Sequence, residues 1–465
     1  DNMITFLELE NFKSFKYIFI DLRDSKGDPK KLAFIYGENG VGKTNIMESV
    51  VFLKQTFETL NFHKFSKDIM DNIESLGEGE DVKRNILLQL VQQQNISLGK
   101  LFEENKRIGT TAPMAINIGF KLDTFDGNYK IVIQNGKIIE EELYSLLNKR
   151  SGVVFKISKD SVFLSRAIFS QDYISELKNI ISKFWGNHTL FSILADELNI
   201  KNLEYLKEHV NNRIWMILDS LRRISMMRLF EGRYLIEGNS SIPFPGNLFG
   251  GALPKEQAPL FKPWELAIKR VLGGLYSDIE DVFYEIQERG DSIDYRLMVK
   301  KVVDGDVLTI PMIQESAGTR KIVNLLPLLL SAVRGGIVCI DEIDSSIHDL
   351  MMASIIENLD EHMEGQCIAT THNTILMETL APKYVYIISV DSEGEKQVIS
   401  VDSYKQRTQK NHNMRIRYLR GDYAGIPYTG YVDFEDIAEE LNKNCWQSLN
   451  RGDVADGETA NTKTK

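Results

Sequence analysis

Gly37 to Thr44 read GENGVGKT, a loop whose residue types suit the cradling of phosphates. Gly37, Gly40 and Gly42 let the backbone take angles that a side chain forbids, so successive N–H groups can turn inward around an anion. Lys43 offers a cation to the β- and γ-phosphates of a nucleoside triphosphate, and Thr44 offers a hydroxyl to Mg²⁺. Asn39 and Asn45 complete the candidate set of nucleotide contacts. The apolar stretch Lys31–Tyr36 before the loop has strand length, and Lys43–Lys54 after it has the spacing of an amphipathic helix, whose positive end faces the same phosphates.

Three further stretches, much later in the chain, carry residues that such a loop needs. Ile337–Ile340 is a short apolar run of the kind found in buried parallel strands, and it ends in Asp341 and Glu342. Asp341 is placed to hold Mg²⁺, directly or through water, and Glu342 to act as the base that polarises an attacking water. An acidic pair at a strand end is often only a solvated helix start, and the phosphate loop is what favours the chemical reading. Cys367–Thr371 reads as another strand with His372 directly after it. A lone His is more often structural than catalytic. Here the order of strand, acidic pair, helix, strand and His brings His372 to the carboxyl edge of the same sheet, where it would sense the γ-phosphate. Glu315–Lys321 (ESAGTRK) precedes an apolar helix, Ile322–Val333. Ser316 or Thr319 can cap that helix, and the bare N–H groups of its first turn can also grip a phosphate from outside.

The elements that must position these residues are legible in outline. Asp68–Arg107 is polar, Gln-rich and weakly periodic, and is expected to add helices or a mobile loop. Ala115–Ile133 alternates as antiparallel strands, with a turn expected at Asp126–Gly127. From Ser161 to Glu288 the spacing predicts mainly helix, interrupted by a Gly- and Pro-rich loop at 238–262. Strands return at Tyr295–Val303, turn at Asp304–Gly305 and resume at Val307–Ile310. Tyr384–Val390 and a hairpin through Glu393–Gly394 finish a sheet, and the residues from about Asn450 are expected to be disordered. The division expected is an N-terminal lobe at 3–160, a mainly helical insertion at 161–290, a C-terminal lobe at 291–430 and a terminal segment at 431–465.

A length of 465 residues with 43% apolar and 26% charged composition suits two or three compact units and selects no special class. Cys339, Cys367 and Cys445 lack metal-ligand spacing and read as thiols in a reducing compartment, the cytoplasm. The most apolar stretch, 322–340, is broken by Arg334, Gly335 and Gly336, so a helix, turn and strand are expected rather than a membrane span. Met3 leads at once into a strand pattern, so no signal peptide is expected. The net charge of −11 disfavours a nucleic-acid partner. Two local basic clusters stand against it: Arg222, Arg223, Arg228 and Arg233, read as a salt-bridged helix face, and Arg407, Lys410, Arg415, Arg417 and Arg420, read as a partner contact.

Together, GENGVGKT, ESAGTRK, IVCIDEIDSSIH and ATTHN resemble the nucleotide-binding set of ABC-type ATPases of the SMC-like branch, and ITFLELENFKSFK resembles the start of such heads. More narrowly, through PMAINIGFKLDTFDGNYKIVIQNGKIIEEEL and RIRYLRGDYAGIPYTG, the chain is similar to stand-alone ATPases of bacterial anti-phage systems related to the OLD and abortive-infection families. The resemblance implies an α/β fold, an ABC-type P-loop ATPase head with a mixed sheet, an antiparallel β lobe and a helical insertion. It implies that Lys43 and Thr44 bind ATP and Mg²⁺, that Asp341 holds the metal, that Glu342 is the catalytic carboxylate and that His372 is the switch histidine. Ser316 and Gly318 would contact ATP in trans, within a homo-oligomer of ATP-sandwich dimers or a larger ring, and Asp344, Ser345 and Ser346 would form the loop used across the dimer. The Gln that couples Mg²⁺ to the ATPase arm has three candidates by order alone, Gln55, Gln134 and Gln171.

Long coiled-coil arms are not expected, because the insertion has neither the length nor the heptad repeat. OLD-type relatives carry a TOPRIM nuclease domain after the ATPase. Only about 90 residues follow His372, so the effector is expected to be a separate protein, a TOPRIM-type or HNH nuclease, under the control of a phage trigger protein. A DNA-repair or recombination ATPase acting on DNA ends is the alternative.

Overall fold

The computed structural model describes residues 2–74, 96–230, 233–238, 241–404, 413–426 and 432–455. Its centre is a sheet in which β3 (Leu32–Tyr36) is buried at every position. Alternate residues of that strand feed two different cores: Ala33 and Ile35 enter one, while Leu32, Phe34 and Tyr36 enter the other. Burying Phe34 alone stabilises the fold by about 1.5–3 kcal/mol. Beside β3 lie β16 (Gln366–Thr370) and β17 (Val385–Val390), both parallel to it. Beyond β16 come β15 (Ile337–Ile340) and β9 (Ser225–Phe230), again parallel. Antiparallel strands close the two edges, β10 (Arg233–Glu237) on β9 and β18 (Lys396–Ser400) on β17. The order is therefore β10-β9-β15-β16-β3-β17-β18.

A second sheet is purely antiparallel, in the order β2-β1-β4-β5-β6-β7-β8. It contains β1 (Asn2–Phe12), β2 (Phe15–Asp21), β4 (Met114–Leu122), β5 (Phe125–Gln134), β6 (Lys137–Leu146), β7 (Ser151–Ser158) and β8 (Ser161–Leu164). One core fills the space between this sheet and the central one, around helix α1 (Lys43–Thr56), with Leu9, Phe12, Ile46 and Phe52 inside it. Gln366 joins the two layers: its side-chain amide pairs with both backbone groups of Ile4 at 2.8 and 2.9 Å and donates to the Lys30 carbonyl at 2.9 Å. Helices α2 (Thr59–Glu74) and α3 (Leu98–Asn105) cover the expected polar segment at both ends, and 75–95 lie outside the described residues. The hairpin turn falls at Asp123–Thr124, not at Asp126–Gly127, which sit inside β5. Asp123 takes φ +44°, a conformation that a short polar side chain tolerates.

The helical expectation for 161–290 holds only for its first part. Four helices, α4 (Gln171–Phe184), α5 (Leu190–Ile200), α6 (Leu203–His209) and α7 (Asn212–Arg222), run consecutively, capped by Ser170, Thr189, Asn202 and Asn211. The chain then returns to the central sheet as β9 and β10. The Gly- and Pro-rich stretch contains β11 (Gly250–Pro254), and β12 (Ile279–Arg289) follows α8 (Phe261–Leu275). With β13 (Ser292–Val303) and β14 (Asp306–Pro311) these strands make a third, antiparallel sheet. Cross-strand pairing over 279–288 outweighed the helical spacing read in the sequence, while β13 and β14 fall where strands were expected. The turn at Asp304–Gly305 lies where expected, with φ +52° and +87°.

The second core packs α9 (Ala317–Val333) and α10 (Asp349–His362) on the other face of the central sheet, with Ile322, Leu325, Val338, Ile340 and Met352 inside it. Cys367 is buried in this core and Cys339 in the first, and burial pushes both thiols up to about 12. Short helices α11 (Leu376–Thr379) and α12 (Met414–Leu419) follow. Residues 1–426 form one compact unit and 427–465 another. In the latter, α13 (Phe434–Ala455) continues past Asn450, where disorder was expected, and exposes Phe434, Ile437 and Leu441. Among the described residues, no helix is long and apolar enough to cross a membrane.

Candidate functional site

Parallel strands bring their carboxyl ends to one edge, so β3, β15 and β16 deliver their following residues to the same place. The loop after β3 wraps the start of α1. Gly42 has φ +111°, and a Cβ there would lie 2.7 Å from Ser14 Oγ and 2.9 Å from the Phe15 ring, so only glycine fits beneath the β1–β2 turn. Asn45 Nδ2 donates to the same Ser14 Oγ at 2.7 Å, which ties the turn to the loop. Asn39 and Gly40 are exposed at the loop tip, and Thr44 is exposed at the helix start. Lys43 is buried, and its Nζ donates to the carbonyls of Gly37 and Glu38, each at 2.8 Å. Burial pulls its ammonium below the usual range, while Asp341, Glu342, Asp344 and Glu38 act in the opposite direction.

Asp341 is buried at the end of β15, with its N–H on the Met227 carbonyl at 2.9 Å. Its Oδ1 accepts the Thr370 hydroxyl at 2.6 Å, and that same hydroxyl accepts the Glu342 N–H at 2.7 Å. Glu342 has φ +49°. His372 follows β16, and its N–H reaches Asp344 Oδ2 at 3.3 Å. Partial desolvation and then the nearby Lys43 cation hold the His372 ring below the usual imidazole range, against the pull of Asp344, Glu342 and Asp341. Lys43, Asp341, Glu342, Asp344 and His372 thus share one electrostatic field at one sheet edge.

Ser316 caps α9 by accepting the Thr319 N–H at 3.1 Å, so the capping role read from the sequence is present. Ser316 and Ala317 remain exposed, which leaves the helix start open to an outside ligand. Gly318 meets the loop after the acidic pair: a Cβ there would lie 2.5 Å from the Ser346 carbonyl. Glu315 is buried and paired with Lys301 at 2.9 Å.

The donor set suits Mg²⁺ better than a metal held by protein alone. Among the described residues, no three His, Cys, Asp or Glu side chains gather to hold an ion. One buried carboxylate, Asp341, and one hydroxyl, Thr44, match a cation that completes its shell with phosphate oxygens and water.

Other expectations fare differently. Gln55 lies in α1, Gln134 ends β5 and Gln171 begins α4, so none of the three lies on the central sheet. Arg222, Arg223 and Arg228 are paired with Glu58, Asp219 and Glu237 at 2.7, 2.7 and 2.8 Å, as the salt-bridged reading required. The Arg233 side chain, Arg407 and Lys410 lie outside the described residues. Arg415 pairs with Glu378 and Arg417 with Asp422. Two residues near the acidic pair were not singled out in the sequence. Thr370 sits within ATTHN, where only the His had drawn notice. Lys321 closes ESAGTRK, and its Nζ donates to the Glu342 carbonyl at 3.1 Å. A lysine at the head of so apolar a helix was the available signal.

Residues 252–378 match the family model described as "AAA domain, putative AbiEii toxin, Type IV TA system". No curated protein matches the chain. Similar solved structures include an SMC head bound to the C-winged helix domain of ScpA, with a TM-score of 0.42, 15% identity and coverage of 87% of this chain and 98% of that one. The SMC head domain from Thermotoga maritima gives 0.34, 14%, 86% and 99% in the same order. The Smc head with an extended coiled coil, bound to the C-terminal domain of ScpA derived from Pyrococcus furiosus, gives 0.40, 15%, 86% and 96%. The fold is α/β: the phosphate loop after β3, the acidic pair after the strand two places away and the His after the strand between them meet at one edge of a mixed sheet, beside an antiparallel sheet, as the sequence led us to expect.

Proposed function

We propose that the chain hydrolyses ATP with Mg²⁺, in sites shared between two copies of itself. The observation that carries this reading is the meeting of Lys43 with Asp341, Glu342 and His372 at one edge of the parallel sheet. Phosphate oxygens would take the place of the Gly37 and Glu38 carbonyls on Lys43, with the loop N–H groups and the α1 start around them. Asp341 and Thr44 would hold Mg²⁺, which supplies charge neutralisation between the phosphates. Glu342 takes the proton from the attacking water as its oxygen bonds to the γ-phosphorus and the bond to the ADP oxygen breaks. His372 orients the γ-phosphate from the far side. Ser316 and Gly318 act on the nucleotide of the second protomer.

We further infer a role in abortive infection, resembling that of AriA, the ATPase subunit of the two-component PARIS system, with a separate TOPRIM-type or HNH nuclease as effector. The family description over 252–378, which names a toxin–antitoxin context, supports that reading. The net charge of −11 and the carboxylate partners of Arg222, Arg223 and Arg228 weigh against DNA as the primary partner. Phosphate release by the purified protein with ATP and Mg²⁺ tests the enzymatic part, and nucleotide binding without any release contradicts it. Co-expression with a neighbouring nuclease frame tests the biological part: toxicity that is indifferent to Lys43→Ala counts against it.

A further inference from the structure

Lys321 has no solvent exposure, a placement that lysine rarely adopts. Its Nζ donates to the Glu342 carbonyl at 3.1 Å and lies 3.8 Å from the centre of the Tyr234 ring. The Tyr234 hydroxyl is 3.0 Å from Ser345 Oγ, and Ser345 Oγ donates to the same Glu342 carbonyl, also at 3.0 Å. Glu342 is therefore gripped from both sides: its carbonyl receives two donors, and its N–H is held by Thr370. Between these anchors the residue keeps φ +49°, a conformation that a non-glycine side chain seldom holds without such support. Burial pulls the Lys321 ammonium down to about 8, with Glu342, Asp344 and Asp341 opposing that pull. The charge is thus kept in a dry place by three nearby carboxylates and one aromatic face.

We propose that Lys321 is a positioning residue for the reaction: it fixes the main chain of Glu342 so that the carboxylate faces the attacking water, and it ties that orientation to α9 and, through Tyr234, to the β9–β10 hairpin. The inference rests on the reading of Glu342 as the base. Ser316 and Gly318 stand at the start of the same helix, within about one and a half turns of Lys321. A nucleotide gripped by that helix start therefore acts on a rigid element whose next turn holds Glu342. Occupancy of one site would then set the catalytic carboxylate of the other.

The test compares Lys321→Met, Lys321→Arg and Tyr234→Leu with the wild-type chain. Four quantities are read: kcat, KM for ATP, equilibrium nucleotide affinity, and amide hydrogen exchange over 341–346 without nucleotide. Lys321→Met is expected to lower kcat roughly 10- to 100-fold with nucleotide affinity unchanged, and to speed exchange over 341–346. Lys321→Arg recovers most of that loss, and Tyr234→Leu changes kcat and exchange in the same direction but less. Wild-type kcat and exchange in Lys321→Met overturn the inference while leaving the ATPase reading intact. Equal damage in the Met and Arg variants, with affinity falling in parallel, shows a merely structural lysine and also overturns it. Failure of the wild-type chain itself to release phosphate removes both.

Discussion

The Thr370 hydroxyl donates to Asp341 Oδ1 at 2.6 Å, which makes one buried side chain responsible for orienting the carboxylate assigned to the metal. The same oxygen accepts the Glu342 N–H, so both members of the acidic pair depend on it. Thr370→Val keeps the shape and removes both bonds, leaving a partly buried N–H and a buried carboxylate oxygen short of a partner. Stability is expected to fall by about 1–3 kcal/mol, measured by urea unfolding, with turnover reduced further than stability alone explains. Thr370→Ser restores both. A Val variant with wild-type stability and turnover would refute the role.

Lys43→Ala removes the loop cation while the backbone cradle stays. ATP binding is expected to weaken roughly 10- to 150-fold, the worth of one hydrogen bond to a charged group. Equilibrium titration with a fluorescent nucleotide measures it, and unchanged affinity would remove Lys43 from the site.

Glu342→Gln keeps size and hydrogen bonding but cannot take a proton. ATP affinity should persist while phosphate release falls roughly 10²- to 10⁴-fold. Normal release from this variant rules out Glu342 as the base.

A different histidine governs an acid response. His188 donates to or accepts from Thr59 Oγ1 at 2.9 Å, and burial, followed by the nearby His63, lowers its pKa from 6.5 to about 4. The unfolded chain therefore takes up the proton first as pH falls. Stability tied to this ring is complete above pH 6.5 and is lost between 6.5 and about 4. His188→Asn should flatten the pH dependence of stability across that window relative to the wild-type chain. Parallel curves would show that the ring titrates as it does in water.

The meeting of the candidate site residues was legible because their order along the chain dictates it: each follows a short buried strand, and parallel strands share one carboxyl edge. Gly37, Lys43, Asp341 and His372 needed no tertiary information beyond that. Lys321 did. A lysine is read as solvent-facing until the topology places Asp341, Glu342 and Asp344 over it and Tyr234 beneath it. Tyr234 was hidden in turn, because β9 and β10 lie in a stretch whose apolar spacing suggested helix, and only pairing with β15 turns Ser225–Phe230 into a strand of the central sheet. The third sheet was half seen for the same reason: β13 and β14 alternate clearly around Asp304–Gly305, whereas β12 is largely exposed along its second half and carries little pattern. Gln366, which joins the two layers, looks like any polar strand-end residue in the sequence.

The sharing of each site between two copies is decided most directly by mixing two inactive variants. Lys43→Ala disables the phosphate loop, and Ser316→Arg blocks the helix start that serves the other protomer. In a mixed dimer one site carries both lesions and the other carries neither, so an equimolar mixture is expected to regain turnover, up to about a quarter of the wild-type value. A mixture as inactive as its parents, although the two variants are shown to associate, would contradict a nucleotide held between two chains.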